Sequence, residues 1–271
     1  MSKEKTIYQD PKEIAKYIIR NTPIGLLDSS LENLKVLVKN DILESPEVIQ
    51  EINTYKETHL IPISIPNVNN KVIYSPLIKD LEDFYYDQIQ EIRFKLNEKG
   101  EPVNIEKYEI NTEVFLIICK KMKDYINKYY NKDGVCYNIY HNTLIDKVQV
   151  LISGKIVNIN NYWTGEWLGV WALDIYQKKM EGEIIINTIY NEEGNVQFNF
   201  KKKFEKNIQV KNDITTAEEF MEFIEKNEND VQNKIEELNR NLSEEYVKPL
   251  RKSISIIEKE MNWSLDQIQF K

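Results

Sequence analysis

Across residues 135–205 the hydrophobic pattern alternates with a period of two, and no other feature of the chain restricts its fold as strongly. Five alternating segments recur, at 135–140, 148–159, 167–175, 184–190 and 196–200. Alternation sends successive side chains to opposite faces of a strand. Links this short leave no room for crossover helices, so the five segments predict an antiparallel meander. Trp167, Trp171, Leu173 and Ile175 fall on one face of the third segment, where Trp chiefly contributes buried area. Glu192-Glu193-Gly194-Asn195 supplies the turn between the last two.

The period then changes to that of a helix. A long helix is predicted over 214–246, started by a capping box of Thr216 and Glu219. Its apolar stripe holds Phe220, Ile224, Val231, Ile235 and Leu238. A helix of this length needs something to cover that stripe, and the sheet is the obvious partner. Pro249 breaks the pattern, which leaves 248–271 as a separate amphipathic tail. In the tail Leu250, Ile254, Ile257 and Met261 share a stripe, while Lys248, Lys252 and Lys259 lie on the other side, with Arg251 adding charge.

Residues 1–58 predict a helical stalk of three short helices: 11–20, one beginning at Ser29 or Ser30, and one entered through Ser45-Pro46. Short links suggest an antiparallel bundle. Residues 59–110, with Pro62, Pro66 and Pro76, read as short strands and turns, and 111–134 holds a helix over 112–130. The fold class is therefore α+β: stalk, meander sheet, long helix across the sheet, and tail.

Chemistry narrows the function. A net charge of −8 argues against a protein built to hold nucleic acid. His59 and His141 have no metal-ligand spacing, and no phosphate-cradling glycine motif or nucleophile elbow occurs. Neither an enzyme nor a bound metal or cofactor is expected. The most conspicuous apolar run, Val114 to Cys119, is far too short to span a bilayer. Cys119 and Cys136 fit reduced thiols in the cytoplasm.

Three stretches resemble the family of F-actin capping protein alpha subunits. The first runs Asn161-Tyr162-Trp163-Thr164-Gly165-Glu166-Trp167-Leu168-Gly169-Val170-Trp171, with Glu166 and Leu168 where the family usually carries basic residues. The second is Tyr190-Asn191-Glu192-Glu193-Gly194-Asn195-Val196, and the third is Lys248-Pro249-Leu250-Arg251-Lys252. The resemblance implies a cytoskeletal alpha/beta dimer whose tail binds the barbed end of an actin filament and sterically blocks growth. It implies actin contacts from Lys248, Arg251, Lys252 and Lys259 and from Leu250, Ile254, Ile257 and Met261. Lys248 and Lys252 match basic positions of the family's tail, and Glu258 reverses a third. The implied partners are the filament end and a beta subunit. A second copy of the chain is an alternative partner, with Phe220, Ile224, Val231, Ile235 and Leu238 at the interface. Two other readings stay open: a scaffold with weak capping, and a membrane-surface module whose tail lies on anionic phosphoinositide lipids.

Overall fold

The computed structural model describes residues 10–38, 40–110, 112–130, 133–158, 163–191, 195–210 and 212–241. The chain divides into two compact units, Met1–Glu225 and Lys226–Lys271.

Four helices open the first unit: α1 (Pro11–Arg20), α2 (Leu27–Leu37), α3 (Asn40–Leu43) and α4 (Pro46–Thr58). Pro11 occupies the first turn of α1, and the Asp10 side chain accepts from the backbone N–H of Lys12. Ala15, Ile19, Leu27, Leu34, Val48 and Tyr55 form a shared core. Lys12 pairs with Glu47 at 3.2 Å and Arg20 forks onto Glu51 at 2.6 and 2.5 Å. Tyr55 Oη donates to the Thr22 carbonyl. All three contacts advance along both chains together, so α1 and α4 run parallel. α2 and α3 intervene and carry the chain back, so the first and last of these helices share a direction.

Residues 59–110 form a small antiparallel sheet of β1 (Tyr85–Asp87), β2 (Ile92–Leu96) and β3 (Pro102–Lys107). Next comes α5 (Glu113–Tyr129), then a five-stranded meander: β4 (Val135–Asn142), β5 (Lys147–Asn158), β6 (Trp163–Asp174), β7 (Lys179–Asn191) and β8 (Asn195–Asn207). All neighbouring pairs are antiparallel. β7 and β8 outrun their apolar segments. Their extensions carry Glu and Lys that pair across strands, as in Lys201 with Glu183 at 3.2 Å and Lys179 with Glu205 at 3.0 Å. Charge pairing continues the ladder where apolar contrast has ended.

α6 (Asp213–Asn241) begins one turn earlier than the expected capping box. The Asn212 side chain accepts from the Thr215 N–H at 2.8 Å, while Thr216 is buried with an unpartnered Oγ1.

Within the first unit the large sheet is covered on both faces. On one face α5 and the start of α6 lie side by side and parallel, joined by Lys121–Glu218 at 3.1 Å and Tyr129–Glu225 at 2.6 Å. Trp171 is fully buried there, stacked on Phe204 and edge-on to Phe223, both at 5.7 Å between centroids. Its ring lies over Gly182, its register partner in β7. On the opposite face Tyr140, Leu151 and Leu168 join Tyr74, Phe84, Tyr86 and Phe94 of the small-sheet segment in one apolar cluster.

The second unit's described part is the C-terminal half of α6. It carries Val231 buried, Ile235 half-buried and Leu238 54% exposed.

Candidate functional site

The two edges of the five-stranded sheet are unlike. At the β4 edge, Gln88 behaves as a peptide group: its Oε1 accepts from the His141 N–H at 2.7 Å and its Nε2 donates to the His141 carbonyl at 3.1 Å. Asn138 Nδ2 donates to the carbonyls of Ile73 and Tyr86 at 3.1 and 2.9 Å. Both amides are buried, and β1 lies alongside. At the other edge, no strand among the described residues pairs with the outer side of β8. An open strand edge is a template for pairing with another chain. The neighbouring surface is partly apolar, since Phe198 and Tyr190 remain 39% and 36% exposed.

Of the five α6 positions expected at an interface, Phe220, Ile224 and Val231 are already fully buried within the chain. Ile235 and Leu238 keep exposed apolar surface. The expected tail contacts Lys248, Leu250, Arg251, Lys252, Ile254, Ile257, Lys259 and Met261 lie outside the described residues.

A charged cluster, which no sequence pattern announces, joins the end of α4 to the sheet. His59, the C-cap of α4, approaches Glu166 of β6 through Nδ1 at 2.8 Å. The Glu166 side chain is wholly buried and also accepts from Asn187 Nδ2 at 2.6 Å. Lys155 of β5 donates to the carbonyls of His59 and Leu60 at 2.5 and 3.1 Å, a cation on a helix C-terminus. Beside it Gly25, at φ +82°, fits only because it has no Cβ, which would stand 2.2 Å from Val157 Cγ2. The one available signal was Glu166 itself, a carboxylate inside an apolar block.

Burial pushes the Lys155 ammonium down from 10.5 to about 8, and the nearby Glu166 offsets only part of this. The folded state therefore binds fewer protons than the unfolded chain between these values, so stability rises with pH across that window. The cost of the buried charge is fully present below about pH 8 and is relieved towards 10.5. We expect wild type to gain about 2 kcal/mol relative to Lys155→Met between pH 7 and 10. Urea unfolding of both proteins at each pH measures it; parallel profiles would show that Lys155 is not desolvated.

Both histidines are engaged, His141 by Thr112 at 2.7 Å and Asp146 at 3.1 Å. Burial raises the thiols of Cys119 and Cys136 to about 12 and about 11, which makes them poor nucleophiles. Among the described residues no group of three or more His, Cys, Asp or Glu could hold a metal. No described helix is long and apolar enough to cross a membrane.

Comparison with known proteins agrees with this architecture. The chain is similar to the F-actin-capping protein subunit alpha of Schizosaccharomyces pombe, 23% identical with 93% of this chain and 95% of that one covered. It is 26% identical to the Saccharomyces cerevisiae counterpart, with 93% and 91% covered. The homodimeric actin capping protein alpha subunit from Plasmodium berghei has the same fold, with a TM-score of 0.67 at 21% identity over 90% of this chain and 96% of that one. The model of the F-actin capping protein alpha subunit family matches residues 15–270, nearly the whole sequence. The chain belongs to that family, which sets it among actin-capping subunits rather than enzymes.

Proposed function

We propose that this chain caps the barbed end of the actin filament as one half of a two-chain cap. The family match running through the tail to residue 270 supports the capping reading. The open edge of β8, opposite a β4 edge that Gln88 engages at His141, supports the two-chain reading. In this mechanism the dimer presents two tails to the filament end. The basic side of each tail steers encounter with acidic actin, and the apolar stripe anchors it. The bound cap then occupies surface that an incoming subunit needs, with no turnover. The working location is the cytoplasm, with the cytoskeleton.

The partner is a beta subunit or a second copy of this chain. A pairing through β8 would be obligate in character, burying about 2,000 Å² or more. Sedimentation at micromolar concentration should give twice the 32.2 kDa of the chain when it is alone. Ile235→Asp, which buries a charge at the contact, should raise the dissociation constant at least about tenfold. A folded monomer at that concentration would rule out the homodimer and leave the beta subunit as partner.

Elongation from barbed ends of actin seeds, with the chain alone and with a beta subunit, tests capping. Growth should stop in at least one arm. Uninhibited growth in both would leave the scaffold reading, and tail-dependent binding to phosphoinositide vesicles would then favour the membrane-surface reading.

A further inference from the structure

We propose that a cleft flanking the sealed edge of the large sheet binds a small oxyanion, a phosphate or carboxylate group on a compact molecule, with Lys155 and Ser153 as donors. The cleft measures about 690 Å³ and is lined in part by Lys71, Asp87, Cys136, Ser153 and Lys155. That volume lies within the range of small-molecule sites.

Ser153 and Lys155 are two apart on β5 and point to the same side of the sheet. Ser153 is 1% exposed, and its Oγ has no hydrogen-bond partner. Buried hydroxyls are nearly always answered, and one that is not destabilises the fold until something accepts its proton. Lys155 spends two of its three N–H groups on the carbonyls of His59 and Leu60, which leaves one for a ligand.

The neighbouring groups are already committed elsewhere. Cys136, opposite Ser153 in register, donates its S–H to the Lys71 carbonyl. Glu166, opposite Lys155, is engaged by His59 and Asn187. Asp87 accepts from the Gln90 backbone N–H and Nε2 at 3.0 and 2.9 Å. Burial raises the Asp87 carboxyl, so it opposes an incoming anion less than an ordinary carboxylate would. Lys71, on the rim, adds attraction for an anion. A cationic ligand would meet both lysines, and a neutral one would leave the buried ammonium with only the partial offset of Glu166. Strands β6 and β7 separate β5 from the open edge, so the cleft stays available in a dimer paired through β8.

Thermal unfolding and titration calorimetry test the assignment, using sodium phosphate and sodium citrate at pH 7 against sodium chloride of equal ionic strength. We expect either anion at about 10 mM to raise the unfolding midpoint by about 2 °C or more beyond chloride. A preference for phosphate marks a phosphorylated ligand and a preference for citrate a polycarboxylate. Ser153→Ala removes a hydroxyl with no partner, so its midpoint without ligand should equal or exceed that of wild type while affinity falls at least about tenfold. Lys155→Met should abolish binding, and Ser153→Ala decides the matter if that variant does not fold. Wild-type affinity should also fall as pH rises from 7 to 9.5, through the range where the buried ammonium loses its proton. A chloride shift equal to that of both anions, or wild-type affinity in Ser153→Ala, would overturn the proposal.

Discussion

Deletion of residues 248–271 is expected to lower affinity for barbed ends by at least about 100-fold, roughly 2.7 kcal/mol, while moving the unfolding midpoint by less than about 2 °C. The described part of α6 ends at Asn241, and Pro249 interrupts the helical pattern seven residues past Leu242. The sequence of the tail repeats Leu250, Ile254, Ile257 and Met261 at helical spacing, out of phase with Lys248, Lys252 and Lys259. Anchors of this kind account for most of the energy of a protein contact. The charged side acts on the rate instead. Lys248→Glu with Lys252→Glu should slow association more at low salt than at physiological salt, where screening sets in over about 8 Å. Seeded elongation and thermal unfolding on the same preparations separate the two effects. A fall in midpoint of more than about 5 °C on deletion would mean that the tail belongs to the folded core, and the capping defect would then carry no information.

The second large effect is on stability. Gly182→Ala should destabilise the protein by about 1–3 kcal/mol, and Trp171→Ala by about 3–5 kcal/mol. A Cβ at position 182 would stand 2.1 Å from Cε3 and 2.2 Å from Cζ3 of Trp171. The indole cannot retreat easily, because Phe204 stacks on it and Phe223 meets it edge-on. Gly182 is therefore required for space rather than for an unusual backbone conformation. The two changes should not add: once Trp171 is Ala, the Cβ at 182 meets no ring, so the second substitution should cost less than it does alone. A double-mutant cycle in urea measures the coupling. Strict additivity would show that the ring does not rest on Gly182.

Much of the fold was legible in the sequence, for local reasons. Asp10 and Pro11 mark the start of α1, and strict alternation from Val135 onward announces five strands. The ends of β7 and β8 were not legible, because Lys201, Lys203 and Glu205 look solvated until their partners on β7 are known. The strands of the small sheet were hidden as well: β1 has only three residues, all buried, and so shows no alternation. The cap of α6 was assigned to the wrong residue because Thr216 and Glu219 mimic a capping box one turn inside the real one. Of the candidate sites, the tail stripe rests on the sequence pattern and lies outside the described residues. The His59–Glu166 contact spans 107 positions and the Gln88–His141 contact 53, and no local pattern foretells partners so far apart.

Gln88 bears on where a further strand could join the large sheet. A sheet with two bare margins can recruit a neighbour on each side and grow into a ribbon. Here the β4 margin is occupied at His141 by a side-chain amide from the same chain, while the outer side of β8 meets no strand among the described residues. In the proposed pairing of β8 with β8 around a two-fold axis, each outer end would carry that amide. A further chain adding at β4 would have to displace it from the His141 peptide groups. For a protein whose proposed task is to end a polymer, a glutamine that obstructs one margin of its own sheet is a fitting property.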